Sequence, residues 1–335
     1  MTIFHWREEE NTSIMKKSDI AKYFYNALKC KIYIYILGSS SAGESILFVV
    51  YGDDQPIYSC ITDSFKIGNE NIPITITDRC GLDHITDIFW THPHDDHSEG
   101  LVELIEKYKP ENIYIPADLQ QLPDCSPELS KKVLEKINTY HSCDARYAYQ
   151  PCVIDVGSNY LVLDKSLNVG GKKVPMSIYT LAPAIGKTRR DAITQNYNSL
   201  NDFSIAISIV VGDFSLLLTG DMQDQTVKYI SNDLQREIIT PNLLEIPHHG
   251  SRGSLSIISL FDANTTIDVA VSTAKRASHL PRKDALDFYS SRCCRVYKIC
   301  DDAESAGIWG VEIDVLNATI TELELQNYVA HITSS

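Results

Sequence analysis

Two apolar runs, KIYIYIL (31–37) and SILFVVY (45–51), flank the punctuation LGSSSAGES, a pattern that predicts antiparallel strands joined by a glycine turn. IYSCIT (57–62) and the run from Ile85 to Thr91 predict two further strands, the second ending at a cluster of histidines. Leu101, Leu104, Ile105 and Tyr108 then recur at helical spacing, and Pro110 closes that helix. NIYIPAD (112–118) predicts the next strand. In the second half VPMSIYTL (174–181), FSIAISIVV (203–211) and FSLLLTG (214–220) read as strands, and Val227, Ile230 and Leu234 mark a helix. LLEIP (243–247), DVAVS (268–272), RVYKIC (295–300) and VEIDVLN (311–317) follow as strands. The alternation predicts an α/β fold of layered sheets sandwiched by helices, with a ligand site where strand ends meet.

Two stretches depart from this rhythm. Residues 1–29 read as a leader with one helix, Ile20, Phe24, Ala27 and Leu28 falling near one face. Residues 119–160 are less regular, carry one helix across Pro127 to Tyr140, and read as an insertion near the site. The main domain is therefore expected over 30–335.

Composition narrows the class. No apolar run approaches the roughly 20 residues that cross a bilayer, and the polar N-terminus lacks the apolar centre of a signal peptide. Nine scattered cysteines without a C-x-x-C pair exclude a disulfide framework and a zinc ribbon. A cytoplasmic protein with no membrane partner is expected. The net charge of −14 argues against a broad nucleic-acid-coating surface. Two local basic patches remain: Lys187, Arg189 and Arg190, and then Lys275, Arg276, Arg282 and Lys283 around His279.

The strongest chemical signal is THPHDDH (91–97), three histidines and two aspartates just past a strand. Imidazoles and carboxylates so close repel one another in their charged forms unless a divalent cation sits between them. His92 and His94, two apart on an extended turn, can share one ion, while Asp96 and His97 serve a second. In FSLLLTGDM (214–222) an apolar strand delivers Asp221 at its tip, where a two-metal site wants a shared carboxylate. In LLEIPHHGS (243–251) another strand ends at His248 and His249. Adjacent side chains on an extended chain point in opposite directions, so one of the two is expected as a ligand and the other as a substrate contact. For His279 a surface position and a transition-state donor are equally compatible with the sequence.

The HPHDDH segment resembles the HxHxDH signature of the metallo-β-lactamase superfamily, and the aspartate of TGD matches that superfamily's metal-bridging residue. The order THPHDDH, NxNS (Asn196, Asn198, Ser199), LLLTGD and PHHGS is similar to the hydrolase domain of ComEC-type DNA-uptake proteins and their soluble relatives, over residues 31–325. LGSSSAGES and SHLPRKDALDFY resemble that family's first glycine turn and the His-Pro segment that opens a late helix. The resemblance implies a four-layer αβ/βα sandwich. One departure from the wider superfamily is that no histidine stands between His141 and His248, so the further histidine ahead of the bridging aspartate is missing.

The implied centre holds one or two divalent ions, zinc or manganese. His92, His94 and Asp221 take the first ion, and Asp96, His97, Asp221 and His248 (preferred over His249) the second. Asp96 and His279 are the candidate catalytic residues, and His249, Asn198, Lys275, Arg276 and Arg282 the candidate substrate contacts. The branch implies phosphodiester hydrolysis of a nucleotide or single-stranded nucleic acid. The alternatives are carbon-ester, thioester or lactam hydrolysis at the same metals, and a metal-binding regulatory module without turnover.

Overall fold

The computed structural model describes residues 25–119, 122, 126–141, 149–194, 199–233, 238–299, 305–317 and 319–323. Two eight-stranded sheets dominate. The first runs from edge to edge through Thr319–Glu322, Gly307–Asp314, Cys30–Ser39, Gly43–Gly52, Gln55–Thr62, Asp87–Phe89, Asn112–Pro116 and Cys152–Val156. The second runs through Tyr25–Ala27, Leu161–Val169, Lys172–Ala182, Ala206–Val211, Phe214–Leu218, Leu243–Glu245, Ile267–Thr273 and Cys293–Ile299.

The period-two pattern of Cys30–Ser39 shows why the sheets face each other. Ile32, Ile34 and Ile36 are fully buried against the second sheet, while Tyr33 and Tyr35 fall on the opposite face. Phe48, Ile178, Ile207, Leu216 and Val269 share that central core. Each such side chain contributes roughly 1.5–3 kcal/mol by leaving water. Helix Leu101–Tyr108 buries Leu101, Leu104, Ile105 and Tyr108, its i, i+3, i+4, i+7 stripe, on the outer face of the first sheet. Val227 and Ile230 of helix Asp224–Asp233, with Tyr289 of helix Lys283–Ser290, cover the second sheet. The layers therefore run helix, sheet, sheet, helix, as expected. Among the described residues no helix is long and apolar enough to cross a membrane.

Four strands of each sheet run parallel: Gln55–Thr62, Asp87–Phe89, Asn112–Pro116 and Cys152–Val156 in the first, and Phe214–Leu218, Leu243–Glu245, Ile267–Thr273 and Cys293–Ile299 in the second. Their carboxyl ends gather at one end of the sandwich, the side on which open α/β sheets bind ligands.

Two expectations change. Ala27 belongs to the edge strand Tyr25–Ala27, paired in parallel with Leu167–Val169, and Leu28 is 76% exposed. These two residues thus share no helix face, because backbone pairing with a sheet edge outweighs a weak apolar stripe, and Ile20 and Phe24 lie outside the described residues. The stretch 119–160 also builds the fold. Val133, Leu134 and Ile137 of helix Glu128–His141 are buried in the core, and Cys152–Val156 is the edge strand of the first sheet. Its helical stripe is narrow, and its strand alternates incompletely because that edge is half exposed.

Candidate metal centre

Each element of the site follows a strand end. Asp63 follows Gln55–Thr62, the His92–His97 loop follows Asp87–Phe89, Asp221 follows Phe214–Leu218, and His248 and His249 follow Leu243–Glu245. Glu44, at the start of the antiparallel strand Gly43–Gly52, reaches the same end. Gly43 (φ 151°) admits this approach, since a Cβ there would stand 2.0 Å from the Asp96 carbonyl oxygen. Gly220 (φ 51°) lets the next turn pass Thr91 and aim Asp221 inward.

Asp221 lies at the centre and is fully buried. Its Oδ1 faces Nε2 of His97 and of His249 at 3.7 and 3.4 Å. Its Oδ2 faces Nε2 of His92 and of His248, both at 3.7 Å. His92 Nε2 lies 3.0 Å from His94 Nδ1. Glu44 adds a buried carboxylate, 3.9 Å from His97 Nε2. Two groups have donor atoms close enough to share an ion: Glu44, His97, Asp221 and His249, and His92, His94 and Asp221.

The donor set fits divalent cations. Both oxygens of Asp221 and Nε2 of His97 and His249 are buried without a hydrogen-bond partner, a costly state for a stable interior unless a cation supplies the missing partner. The histidines are also oriented for it. The Thr91 hydroxyl donates to Asp63 Oδ2 (2.5 Å), which leaves Thr91 Oγ1 to accept from His92 Nδ1 at 3.1 Å. His97 Nδ1 donates to the same Asp63 oxygen at 2.8 Å. The Thr273 hydroxyl donates to Glu44 and accepts from His249 Nδ1 at 2.7 Å. In all three rings Nδ1 is tied to an outer partner and Nε2 points inward, the usual arrangement behind metal-binding imidazoles. Glu245, also buried, accepts from the backbone N–H groups of Thr219 (2.6 Å) and Gly220 (3.2 Å) and so braces the turn that presents Asp221.

Without an ion the electrostatics divide the rings: His92 and His94 are held neutral, and His97 and His249 are held charged. Burial, with the His97 charge, holds His92 well below its ordinary pKa, and burial brings His94 down to about 4, so both are neutral donors at pH 7. For Asp221 burial opposes ionisation, yet the imidazoles of His249 and His97, whose own pKa values the nearby carboxylates raise against burial (His97 to about 10), outweigh it and hold the carboxyl well below the usual carboxylate range. Burial likewise opposes charge on Lys275, but Asp221 and Asp96 raise its pKa.

The structure thus brings together His92, His94, His97 and Asp221, and places the other expected residues as follows. First, it is His249 and not His248 that joins the four-residue group. His248 (φ 52°, ψ 47°) and His249 (φ 51°, ψ 29°) are both left-handed and not extended, so both rings turn toward Asp221. His248 Nδ1 and Nε2 lie 3.2 and 3.3 Å from the side-chain amides of Gln223 and Asn201. Second, Glu44 and not Asp96 is the carboxylate that joins Asp221 in the four-residue group. Asp96 Oδ2 lies 3.5 Å from His249 Nε2 and 2.5 Å from Lys275 Nζ. Third, the His279 side chain is exposed at the end of the turn Arg276–Ser278, and no hydrogen bond or ion pair joins it to the centre among the described residues. The ring is carried on a surface hairpin closed by Lys275 and Leu280.

Lys275 points into the centre, whereas Arg276 and Arg282 are exposed. Their backbone N–H groups bond Ser40 O (2.7 Å) and Gly250 O (3.1 Å), which sets this loop beside the mouth of the site. Lys283 is paired with Asp287 (2.8 Å). In the other basic patch Lys187 is held by Asp191 and Asp202 at 2.5 and 2.6 Å. Asn196 and Asn198 lie outside the described residues.

Glu44, Asp63, Glu245, Thr91 and Thr273 are site residues that the sequence reading missed. Asp63 had a signal, because it ends an apolar strand just as Asp221 does. Glu245 had another, an acid inside the apolar run LLEIP. Glu44 lies within the LGSSSAGES segment already singled out.

Residues 73–159, which contain the whole His92–His97 loop, match the family model described as the metallo-beta-lactamase superfamily. Nothing among curated proteins matches the chain. Similar solved structures include a metallo hydrolase from the hyperthermophilic archaeon Ignicoccus hospitalis KIN4/I (10% identity, 88% of this chain and 100% of that one, TM-score 0.43). A diphosphatase of the PhnP family (12%, 85% and 98%, 0.40) is another. A third is an archaeal metallo-beta-lactamase superfamily protein from Sulfolobus tokodaii (17%, 55% and 62%, 0.28).

Proposed function

We propose that this chain is a divalent-metal-dependent hydrolase of phosphodiesters, acting on a nucleotide or a short single-stranded nucleic acid. The observation that carries the reading is the Asp221 carboxylate, buried between two sets of imidazoles, one on each oxygen. Nitrogen and oxygen donors without a thiolate suit zinc or manganese. In this reading His92, His94 and Asp221 hold one ion, and Glu44, His97, Asp221 and His249 hold the other. Bound ions there supply Lewis acidity toward water and toward the leaving oxygen.

The chain's own groups do the rest. Asp221 fixes the spacing of the two sets. Asp96, whose side chain is 20% exposed, is the most open carboxylate of the cluster, and in this reading it orients the attacking water. Lys275 offers an ammonium at the reaction centre, and Arg276 and Arg282 extend positive charge along the mouth of an otherwise acidic protein. That charge favours an anionic substrate over a neutral ester or lactam. The order of motifs similar to ComEC-type hydrolase domains supports the same substrate class, and the acidic bulk favours a short substrate.

The test is a screen of metal-reconstituted protein against bis(p-nitrophenyl) phosphate, dinucleotides and short oligonucleotides, beside a thioester, a carbon ester and a lactam. Turnover of the phosphodiesters is expected. Turnover of only the acyl substrates would replace this reading with acyl hydrolysis, and metal uptake without any turnover would leave a metal-binding module.

A further inference from the structure

Lys275 occupies an unusual place for an ammonium. It follows the strand Ile267–Thr273, and its backbone is pinned to Leu280 by two hydrogen bonds (3.1 and 3.0 Å). Its side chain, 25% exposed, bends into a cluster already rich in potential cation ligands. There Nζ stands 2.5 Å from Asp96 Oδ2, and that same oxygen stands 3.5 Å from His249 Nε2 and 3.8 Å from His97 Nε2. Two ligand atoms bonded to one ion at about 2.0–2.3 Å are separated by no more than about 4.6 Å. Asp96 Oδ2 is therefore within reach of an ion held by His97 and His249, and the ammonium sits on the oxygen that such an ion would draw.

We propose that Lys275 is a displaceable counter-ion of the metal centre, which neutralises Asp96 until a divalent ion claims that carboxylate and is then released to bind the anionic group of the substrate. This rests on the hydrolase reading above. The physical reason is charge. An ammonium and a divalent ion on one carboxylate oxygen repel each other, and only the ammonium, on a flexible four-carbon stem, is free to move. Once moved, it faces a dication with no counter-charge of its own, and an incoming phosphoryl oxygen supplies one. Metal and anion therefore bind with positive coupling, and the coupling is reciprocal.

Calorimetric titration of the metal-free protein with Mn²⁺ tests this without turnover. Lys275→Met keeps the bulk and removes the competing charge, so its tighter Mn²⁺ site should gain affinity by about tenfold, the scale of one charge-assisted hydrogen bond. Lys275→Arg keeps the charge and should stay near wild type. Arg276→Met removes one charge from the neighbouring exposed position and should change affinity by less than about twofold, the scale of screened surface charge. Inorganic phosphate, added as a probe, should strengthen Mn²⁺ binding more in wild type than in Lys275→Met. A tightening in Lys275→Met cannot come from misfolding. Unchanged or weaker Mn²⁺ binding in Lys275→Met, with normal uptake by wild type, would overturn this inference alone. No Mn²⁺ uptake by wild type would overturn the metal-centre reading together with it.

Discussion

His248 and His249, neighbours in the chain, face opposite oxygens of one buried carboxylate: His248 Nε2 lies 3.7 Å from Asp221 Oδ2, and His249 Nε2 lies 3.4 Å from Asp221 Oδ1. A turn with both residues left-handed places them so, at a backbone cost of roughly 1–2 kcal/mol each. Strain of this kind persists where function demands it.

The two rings therefore differ in consequence. His249→Ala should remove an ion from the Glu44, His97 and Asp221 set, read as a loss of about one equivalent in metal analysis. His248→Ala should keep its metal and lose activity instead, because its ring contacts amides and lies outside the four-residue group. Equal metal loss in both variants would show that His248 is also a ligand.

Asp221→Asn keeps the shape and removes the shared charge, so two cations are no longer screened from each other. The fold should survive, as judged by circular dichroism. Bound metal should fall, and kcat should drop by at least about 10²-fold, the scale of losing one preorganised electrostatic group. Activity within a few-fold of wild type would reduce Asp221 to a turn residue.

Asp63 touches the ligands from behind, accepting from His97 Nδ1, the Thr91 hydroxyl and the Thr91 amide. Asp63→Asn should weaken metal binding by about 10–100-fold, as outer partners of ligating histidines do. Competition against a chelating dye would measure it, and unchanged affinity would mean that the imidazoles are held by packing alone.

The exposed rim makes a salt-dependent prediction. Arg276→Ala and Arg282→Ala should raise KM for a phosphodiester without altering metal content, and more at low ionic strength than at high. His279→Ala, equally exposed, should behave as part of this rim. A KM insensitive to all three would argue for a substrate without charge.

Away from the site, burial pushes Asp87 up from 3.8 to about 6, despite hydrogen bonds from Tyr58 (2.5 Å) and Asn112 (2.8 Å). A raised folded-state value means that the neutral form is favoured. Its stabilising effect is full below about pH 3.8 and is lost as pH rises through about 6, some 3 kcal/mol in order of magnitude. Asp87→Asn carries no such titration. In chelator-treated protein its urea midpoint should gain on wild type steadily between pH 4 and pH 7, and parallel curves would disprove the shift.

Much of this protein was legible in its residues. Ile32, Ile34 and Ile36 announce a strand because alternate side chains must enter one core, and Leu101, Leu104, Ile105 and Tyr108 announce a helix for the matching reason. THPHDDH and TGD announce a cation site because so much local charge has no other cheap explanation. What the residues could not decide is which groups meet across the sandwich. Glu44 and Thr273 are 229 positions apart and bond side chain to side chain, Asp63 stands behind His97 from another strand, and Lys275 reaches Asp96 from the opposite sheet. That His248 and His249 both turn toward Asp221 rests on two backbone angles held by the packing of their turn, a property of the folded whole that no local spacing encodes.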